Sequence, residues 1–459
     1  MTELVFNTDL INKYDKSGPR YTSYPTAIQF TEEFGQQEYL NQVQLSNERN
    51  TPLSLYFHIP FCDTICYYCG CNKIVTKNRS HAQPYLDAVY KELALQGDLF
   101  KATRIVKQLH WGGGTPTFIS HQQMTELMQQ TRKHFTLLDD DSGEYSIELD
   151  PREVTASSID LLRKLGFNRI SLGVQDFNPK VQQAVNRIQS YNETRDVIHA
   201  ARKNNFHSIS LDLIYGLPFQ TIESFNETVD KVLGLEPDRL SVFNYAHLPE
   251  MFKTQRQIKS EDLPSAEEKL AILQHVTNKL IDAGYEFIGM DHFAKPNDEL
   301  AIAQKEKKLY RNFQGYSTNS DCDLVALGVT SIGKVADSYS QNIKTIKEYT
   351  DVIEAGKLPV FRGVSLTNDD ILRREVINQL ICHFELSFRE IESEFDIKFI
   401  DYFSVELEQI KEMQADLLLE LTTDKIVVRP EGKLLIRNIC MVFDIYLNTN
   451  KEQRFSKTI

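Results

Sequence analysis

No run in this 459-residue sequence approaches the roughly 18–20 apolar residues of a membrane helix, so neither a spanning segment nor a membrane partner is expected. The opening residues, MTELVFNTDLINKYDK, carry neither the basic region nor the apolar core of a signal peptide, and the cytoplasm is the expected compartment. Strong basic runs are missing as well. Against 64 acidic residues stand 51 Lys and Arg, a net charge of −13 that argues against general nucleic-acid binding. The glycine run Gly112–Gly113–Gly114–Thr115 lacks the Lys-Ser/Thr pair of a phosphate loop, which argues against nucleoside triphosphates. Cysteine is sparse, at seven residues, and no second C-x2-C or H-x3-H supplies the separated pairs of a structural zinc site. Nor does a fourth cysteine precede a proline in the manner of a bacterial ferredoxin. A disulfide framework does not suit a long chain without a secretory signal. No coiled-coil or exposed apolar stripe calls for association, which leaves a monomer as the default. The 41% hydrophobic and 25% charged residues that remain are the balance of a globular protein.

What is present is organised around one stretch, LSLYFHIPFCDTICYYCGCNK at 53–73. Cys62, Cys66, Cys69 and Cys71 fall within ten residues at spacings C-x3-C, C-x2-C and C-x-C, while Cys322, Cys382 and Cys440 are isolated. Leu53–His58 has the length and aromatic content of a buried strand, so the cysteines occupy the loop that leaves it. C-x3-C-x2-C can hold three irons of a 4Fe-4S cube and leave the fourth without a protein ligand, open to chelation by a small molecule. Scattered loop cysteines, or an unrecognised zinc site, are the plainer alternatives.

From 53 to about 290 the chain alternates strand and helix. The strand candidates are Leu53–His58, Ile105–Trp111, Glu144–Leu149, Asn168–Val174, His207–Ile214 and Arg239–Phe243, with Tyr285–Gly289 as a seventh. Helical patterns lie between them, as at Leu86, Val89, Tyr90 and Leu93, or after the Ser120/Gln123 capping box. Polar or glycine-rich oddities follow each strand in turn: the cysteines, Gly112–Thr115, Glu148 with Asp150, Gln175 with Asp176, Asp212, and Asn244–His247. One face carrying all of them suits a βα barrel, whose strand C-termini gather at one end, better than a doubly wound sheet. The expected fold is therefore α/β, a partial (β/α)6 barrel. Taken singly, Glu148 is a salt-bridge partner by default, Arg187 could pair with a carboxylate but is a solvated surface residue by default, and Asp212, with apolar flanks, is a buried carboxylate in need of partners.

Residues 17–26, SGPRYTSYPT, read as an ordered loop, with Arg20 able to touch a ligand or merely to pack. Residues 1–50 form an N-terminal arm, 51–290 the barrel and 291–359 a connecting region, in which Arg311–Asp323 reads as a long loop and Leu327–Ile332 as an apolar return. A small, mainly helical domain at 360–459 is expected to be winged-helix-like. It has helices near Asp369–Cys382, Phe388–Glu394 and Tyr402–Ala415, a hairpin at Lys425–Val428 and a last helix near Leu434–Leu447. In an acidic chain, a lid or buttress suits this domain better than DNA reading.

The cysteine spacing resembles that of the radical S-adenosylmethionine enzymes. The chain as a whole is similar to the oxygen-independent coproporphyrinogen III oxidases, a family of haem biosynthesis. The marks are SGPRYTSYPT, YFHIPFC at 56–62, CGCNK at 69–73, HWGGGTPT at 110–117, VQDFN at 174–178, DLIYGLP at 212–218, FNYAHLP at 243–249 and LIRNIC at 435–440. The resemblance implies that Cys62, Cys66 and Cys69 ligate a 4Fe-4S cluster and Cys71 does not. It implies two S-adenosylmethionine molecules, the first meeting Tyr56, Gly113 and Glu148. The second would meet Tyr68, Gly114, Thr115, Gln175, Arg187, Asp212, Ala246 and Ile332. Glu148 and Arg187 are also the candidates for catalytic groups. The family often has Phe where Tyr68 stands, which puts the polarity of that contact in question. The implied reaction turns two propionates of coproporphyrinogen III into vinyls through a 5′-deoxyadenosyl radical, with a flavodoxin-type protein as a plausible electron donor. Arg20 is the candidate for holding a substrate carboxylate. A haem-binding or trafficking protein on the same barrel is the alternative.

Overall fold

Seven apolar segments become parallel strands: β1 (Leu53–Ile59), β2 (Ile105–Gly113), β3 (Glu144–Leu149), β4 (Arg169–Gln175), β5 (Ser208–Tyr215), β6 (Arg239–Asn244) and β7 (Asp323–Leu327). β1 is buried at six of its seven positions, as a strand covered on both faces must be. Helices α1 (Ala82–Leu99), α2 (His121–His134), α3 (Ala156–Leu165), α4 (Tyr191–Lys203) and α5 (Ile222–Leu233) make the crossovers from β1 through β6. Hydroxyl residues start four of them: Ser120, Thr155, Ser190 and Thr221 each accept from the backbone three residues on. The pairing order is β7–β1–β2–β3–β4–β5–β6, parallel throughout. That order does not reverse after β1, so the winding is that of a barrel and not of a doubly wound sheet. β6 and β7 do not pair with each other, and the barrel stays partial. Trp111 packs on the sheet face opposite Tyr56 and His110, edge-on to Phe57 at 6.2 Å and to Phe167 at 4.8 Å between centroids.

This is a computed structural model that describes residues 4–447, in two compact units. One comprises residues 30–276 and 321–365, the other residues 4–29, 277–320 and 366–447. The ends of the 1–50 and 360–459 ranges lie outside the described residues.

Several expectations change. The loop expected at Arg311–Asp323 is in part a hairpin, Tyr310–Asn312 with Gly315–Ser317, turned where Gly315 takes a φ of 111°. Asp323 already opens β7. Leu327–Ile332 is not one apolar segment but a strand end, a reversal through Gly328 and Thr330 at φ 93° and 59°, and the first residue of the next strand. Glu92 of α1 fixes that reversal by accepting from Gly328 N–H at 2.7 Å and from the Asn342 amide at 2.7 Å. Tyr285–Gly289 becomes Glu286–Gly289, paired antiparallel with His292–Ala294 in the other unit. Also in that unit, helices Asn368–His383, Phe388–Phe395 and Ser404–Ala415 accompany a three-stranded sheet of Glu385–Ser387, Lys425–Val428 and Leu419–Leu421. The last helix is only Ile436–Met441, shorter than the expected Leu434–Leu447, and is buried at Ile436, Arg437, Asn438, Ile439 and Cys440.

Candidate active site

β1 ends at Ile59, and the chain turns through Pro60 into a short strand, Phe61–Cys62, that pairs in parallel with Ile74–Val75 on its return. The cysteine loop is thereby tied at its base: Ile74 N–H donates to Pro60 C=O at 2.7 Å and Thr76 N–H to Cys62 C=O at 2.9 Å. The glycine end of β2 holds it from a second side, with Gly114 N–H to Ile59 C=O at 2.8 Å and Thr115 N–H to Phe61 C=O at 2.7 Å. At its tip Tyr67 N–H donates to Val185 C=O at 3.0 Å, Asn186 to Ile65 C=O at 2.7 Å, and Gln255 to Tyr68 C=O at 3.0 Å. A loop whose backbone is satisfied this thoroughly presents its thiols in fixed positions before any ligand arrives.

Cys66 is buried, Cys62 and Cys69 are half-buried, and Cys71 is exposed. The Thr115 hydroxyl lies 3.6 Å from Cys62 Sγ, while Arg152 and Arg187 bring guanidinium nitrogens to 3.8 and 3.7 Å from Cys66 Sγ. Burial pushes the Cys62 thiol up to about 11, against the pull of Thr115. Cys71 donates to Cys69, which lowers the Cys69 thiol and raises its own; Lys73 adds to the lowering. No three His, Cys, Asp or Glu side chains among the described residues converge as they would on a single ion. A four-iron cube makes a different demand, since each thiolate meets its own iron. Three thiols on one loop, faced by Arg152, Arg187 and Lys73, suit such an anionic cluster.

Glu148 closes β3 with its side chain 48% exposed, Oε1 3.3 Å from His110 Nε2 and Oε2 accepting from Gly113 N–H at 3.3 Å. Enclosure by the strands opposes its ionisation, yet His110 and the Gly113 amide keep the carboxyl below its usual range. Tyr56 stacks on His110 at 5.8 Å, and its hydroxyl lies 3.2 Å from His58 Nδ1. Arg187 is not the solvated arginine expected from its residue type. It is 6% exposed, paired with Asp150 at 2.9 Å, and donates to Gly173 C=O at 2.6 Å. Asp150 takes Arg152 as well, at 2.7 Å, and despite burial the two guanidinium groups hold it below the ordinary carboxylate range. Tyr68 packs against the cluster of Val181, Val185, Leu217, Tyr245 and Ile258, and its hydroxyl is hydrogen-bonded to Cys66. Gln175, at a φ of 66°, and Asn244 each keep a buried side-chain carbonyl oxygen without a partner. Orphaned acceptors at the ends of β4 and β6, either side of β5, are what a ligand's donors would satisfy. Ala246 C=O accepts from Gln255 at 3.2 Å, and Ile332 stands just past the Gly328–Thr330 reversal.

Asp212 accepts from the hydroxyls of Ser171, at 3.1 Å, and Ser241; burial pushes it up to about 6. A folded-state value above the unfolded one means that the unfolded chain ionises first. Stability therefore falls as pH rises from about 4 to about 6 and stays lowered above. Asp212→Asn removes that ionisation. Its melting temperature is expected to exceed the parent's at about pH 8 and to match it near pH 4. Thermal melts at both values check this, and a gap of equal size at both would exclude it.

The sequence pattern missed Arg152 and Gln255, whose roles depend on which neighbours the fold supplies. Arg152 carried a usable signal, standing two residues after Asp150 at a strand end. Arg20 lies in the other unit, where it pairs with Asp291 at 2.6 Å.

Family models match the chain twice: the Radical SAM superfamily at residues 56–232 and the HemN C-terminal domain at residues 366–435. Among curated relatives, the oxygen-independent coproporphyrinogen III oxidase of Pseudomonas aeruginosa is 54% identical over 99% of both chains. That of Escherichia coli K12 is 51% identical over 98% of both. Among solved structures, one described as coproporphyrinogen III oxidase (HemN) from Escherichia coli, a radical SAM enzyme, superposes with a TM-score of 0.92. It is 49% identical, over 97% of this chain and all of that one.

Proposed function

Because the chain belongs to the family of oxygen-independent coproporphyrinogen III oxidases, we propose that its barrel mouth holds a 4Fe-4S cluster through Cys62, Cys66 and Cys69, with Cys71 a hydrogen-bond donor and not a ligand. The enzyme is an oxidoreductase of haem biosynthesis, converting coproporphyrinogen III to protoporphyrinogen IX without oxygen. Its cofactors are the cluster and S-adenosylmethionine, which together supply a radical able to take hydrogen from an unactivated carbon. Each of two propionates would lose a hydrogen atom to that radical, then carbon dioxide and one electron, which passes to an external electron acceptor, to become a vinyl.

The work of the chain is placement. Tyr56, Gly113 and Glu148 receive one S-adenosylmethionine, with the open Glu148 carboxylate facing its cationic amino group. Tyr68, Gly114, Thr115, Gln175, Arg187, Asp212, Ala246 and Ile332 receive a second. The orphaned oxygen of Gln175 and the carboxyl of Asp212 take donors from that molecule. Glu148 and Arg187 act as catalytic groups by fixing charged ends of the cofactor in reacting alignment, where an ångström of misplacement is costly. Residues 1–50 are assigned as an N-terminal arm, 51–290 as the barrel, 291–359 as a connecting region and 360–459 as a small helical domain. A flavodoxin-type protein in the cytoplasm delivers electrons to a monomer. No helix among the described residues is long and apolar enough to cross a membrane.

The observation that carries this reading is the three-thiol loop held at the C-terminal end of β1, with Arg152 and Arg187 turned toward Cys66. The carrier alternative is not favoured, since relatives matched over nearly their whole length are oxidases. Anaerobic incubation of the reconstituted protein with coproporphyrinogen III, S-adenosylmethionine and a reductant is expected to yield the divinyl product. Porphyrin bound and recovered unchanged would reverse the assignment.

A further inference from the structure

In the unit of residues 4–29, 277–320 and 366–447, three guanidinium groups meet around one carboxylate. Arg20 comes from the SGPRYTSYPT loop, Arg311 from the strand Tyr310–Asn312 and Arg437 from the helix Ile436–Met441. Arg20, 36% exposed, takes the carboxylate, Asp291, at 2.6 Å. Arg437 is committed to backbone, donating to Pro19 C=O at 2.9 Å and to Gly18 C=O, and so acts as a strut beneath the loop. Arg311 has less to hold. Its Nε is 3.4 Å from Arg20 C=O and its guanidinium carbon is 4.8 Å from the Tyr316 ring centroid, but Nη1 is buried with no hydrogen-bond partner in a residue 6% exposed. On the turn of the same hairpin, the amide nitrogen of Gln314 is a second buried donor without a partner.

The charges do not balance. Burial, with repulsion from Arg20 and Arg311, pushes even Arg437 down to about 10. A buried guanidinium short of acceptors is costly unless an anion completes it. Two donors from Arg311 and Gln314, and a partly open Arg20, ask for an oxyanion, and the planar fork of arginine suits a carboxylate. We propose that Arg311, with Arg20 at its rim, forms a carboxylate-binding site for one propionate of the substrate. The assignment rests on the substrate reading above and gives it a specific holder in an otherwise acidic chain.

The test uses the full-length reconstituted protein and coproporphyrin III, the redox-stable oxidised form of the substrate, in a fluorescence titration. Arg311→Gln is expected to weaken binding roughly 10- to 100-fold, the size of a lost charge-assisted hydrogen bond, and Arg311→Lys to recover part of it. The tetramethyl ester of coproporphyrin III, which lacks carboxylates, is expected to bind parent and variants alike. Arg20→Gln, at a partly exposed position that folding tolerates, is expected to weaken the free acid and spare the ester. The proposal is overturned if both glutamine variants bind the free acid as the parent does, or if acid and ester weaken together. The substrate reading fails separately, in a parent protein that makes no divinyl product.

Discussion

Cys69→Ala is expected to leave the anaerobically reconstituted chain without bound iron and sulfide, while Cys71→Ala keeps both at parental levels. The two residues are neighbours on one loop and share a hydrogen bond, so spacing alone distinguishes them weakly. The surroundings distinguish them better. Cys69 is half-buried, its amide is tied to Cys66 C=O at 3.2 Å, and its own carbonyl takes Lys73 at 3.0 Å and Thr254 at 3.3 Å. Cys71 is exposed and stands as donor to it. Removing Cys69 leaves two thiolates for a cube that needs three corners held, whereas removing Cys71 costs a hydrogen bond. Iron and sulfide analysis with the visible absorption spectrum reads both. A Cys71→Ala chain empty of iron, beside a Cys69→Ala chain that holds it, would hand the third ligand to the wrong cysteine and undo the open-corner argument.

The strands were legible because each keeps at least one fully buried apolar face, and β1 through β6 each sit within two residues of their expected ends. The helix Tyr191–Lys203 was not singled out. Its buried residues Thr194, Val197, Ile198 and Ala201 do stand at i, i+3, i+4, i+7, but the polar Thr194 and the small Ala201 weaken the apolar signal at both ends. Its Ser190/Glu193 capping box was the available signal. β7 was hidden for another reason. It pairs with β1 from some 270 residues away, Leu53 opposite Asp323, and no local pattern reports so distant a partner. At the site, the cysteines, Glu148 and Asp212 were visible as oddities after strands. The state of Arg187 was not, because whether an arginine is solvated or locked to a carboxylate depends on what the fold places opposite it, here Asp150. The charge excess around Arg311 was equally unreadable, since its members stand at 20, 291, 311 and 437.

The glycine run at the end of β2 was legible as a close-approach edge but not in its division of labour, and that division separates two substitutions. A Cβ on Gly114 would stand 2.6 Å from Phe61 C=O oxygen and 2.8 Å from the Pro60 carbonyl carbon, both backbone at the root of the cysteine loop. Nothing there can swing aside. The Gly114 amide is already bonded to Ile59 C=O at 2.8 Å, so the strand end cannot retreat without losing that bond. Gly114→Ala must therefore displace Pro60–Phe61, and with it Cys62 in the next position. A Cβ on Gly112 would instead meet the Glu148 carboxyl group at 3.1 Å, the end of a side chain that can rotate. The expected results differ accordingly. Gly114→Ala loses most of its iron and sulfide. Gly112→Ala keeps the cluster and loses affinity for S-adenosylmethionine, by roughly 10-fold or more if Glu148 no longer reaches the amino group. Iron analysis and equilibrium binding of S-adenosylmethionine on the two variants read these independently. A Gly114→Ala chain that reconstitutes like the parent would mean that the loop takes its shape from the cluster and not from β2.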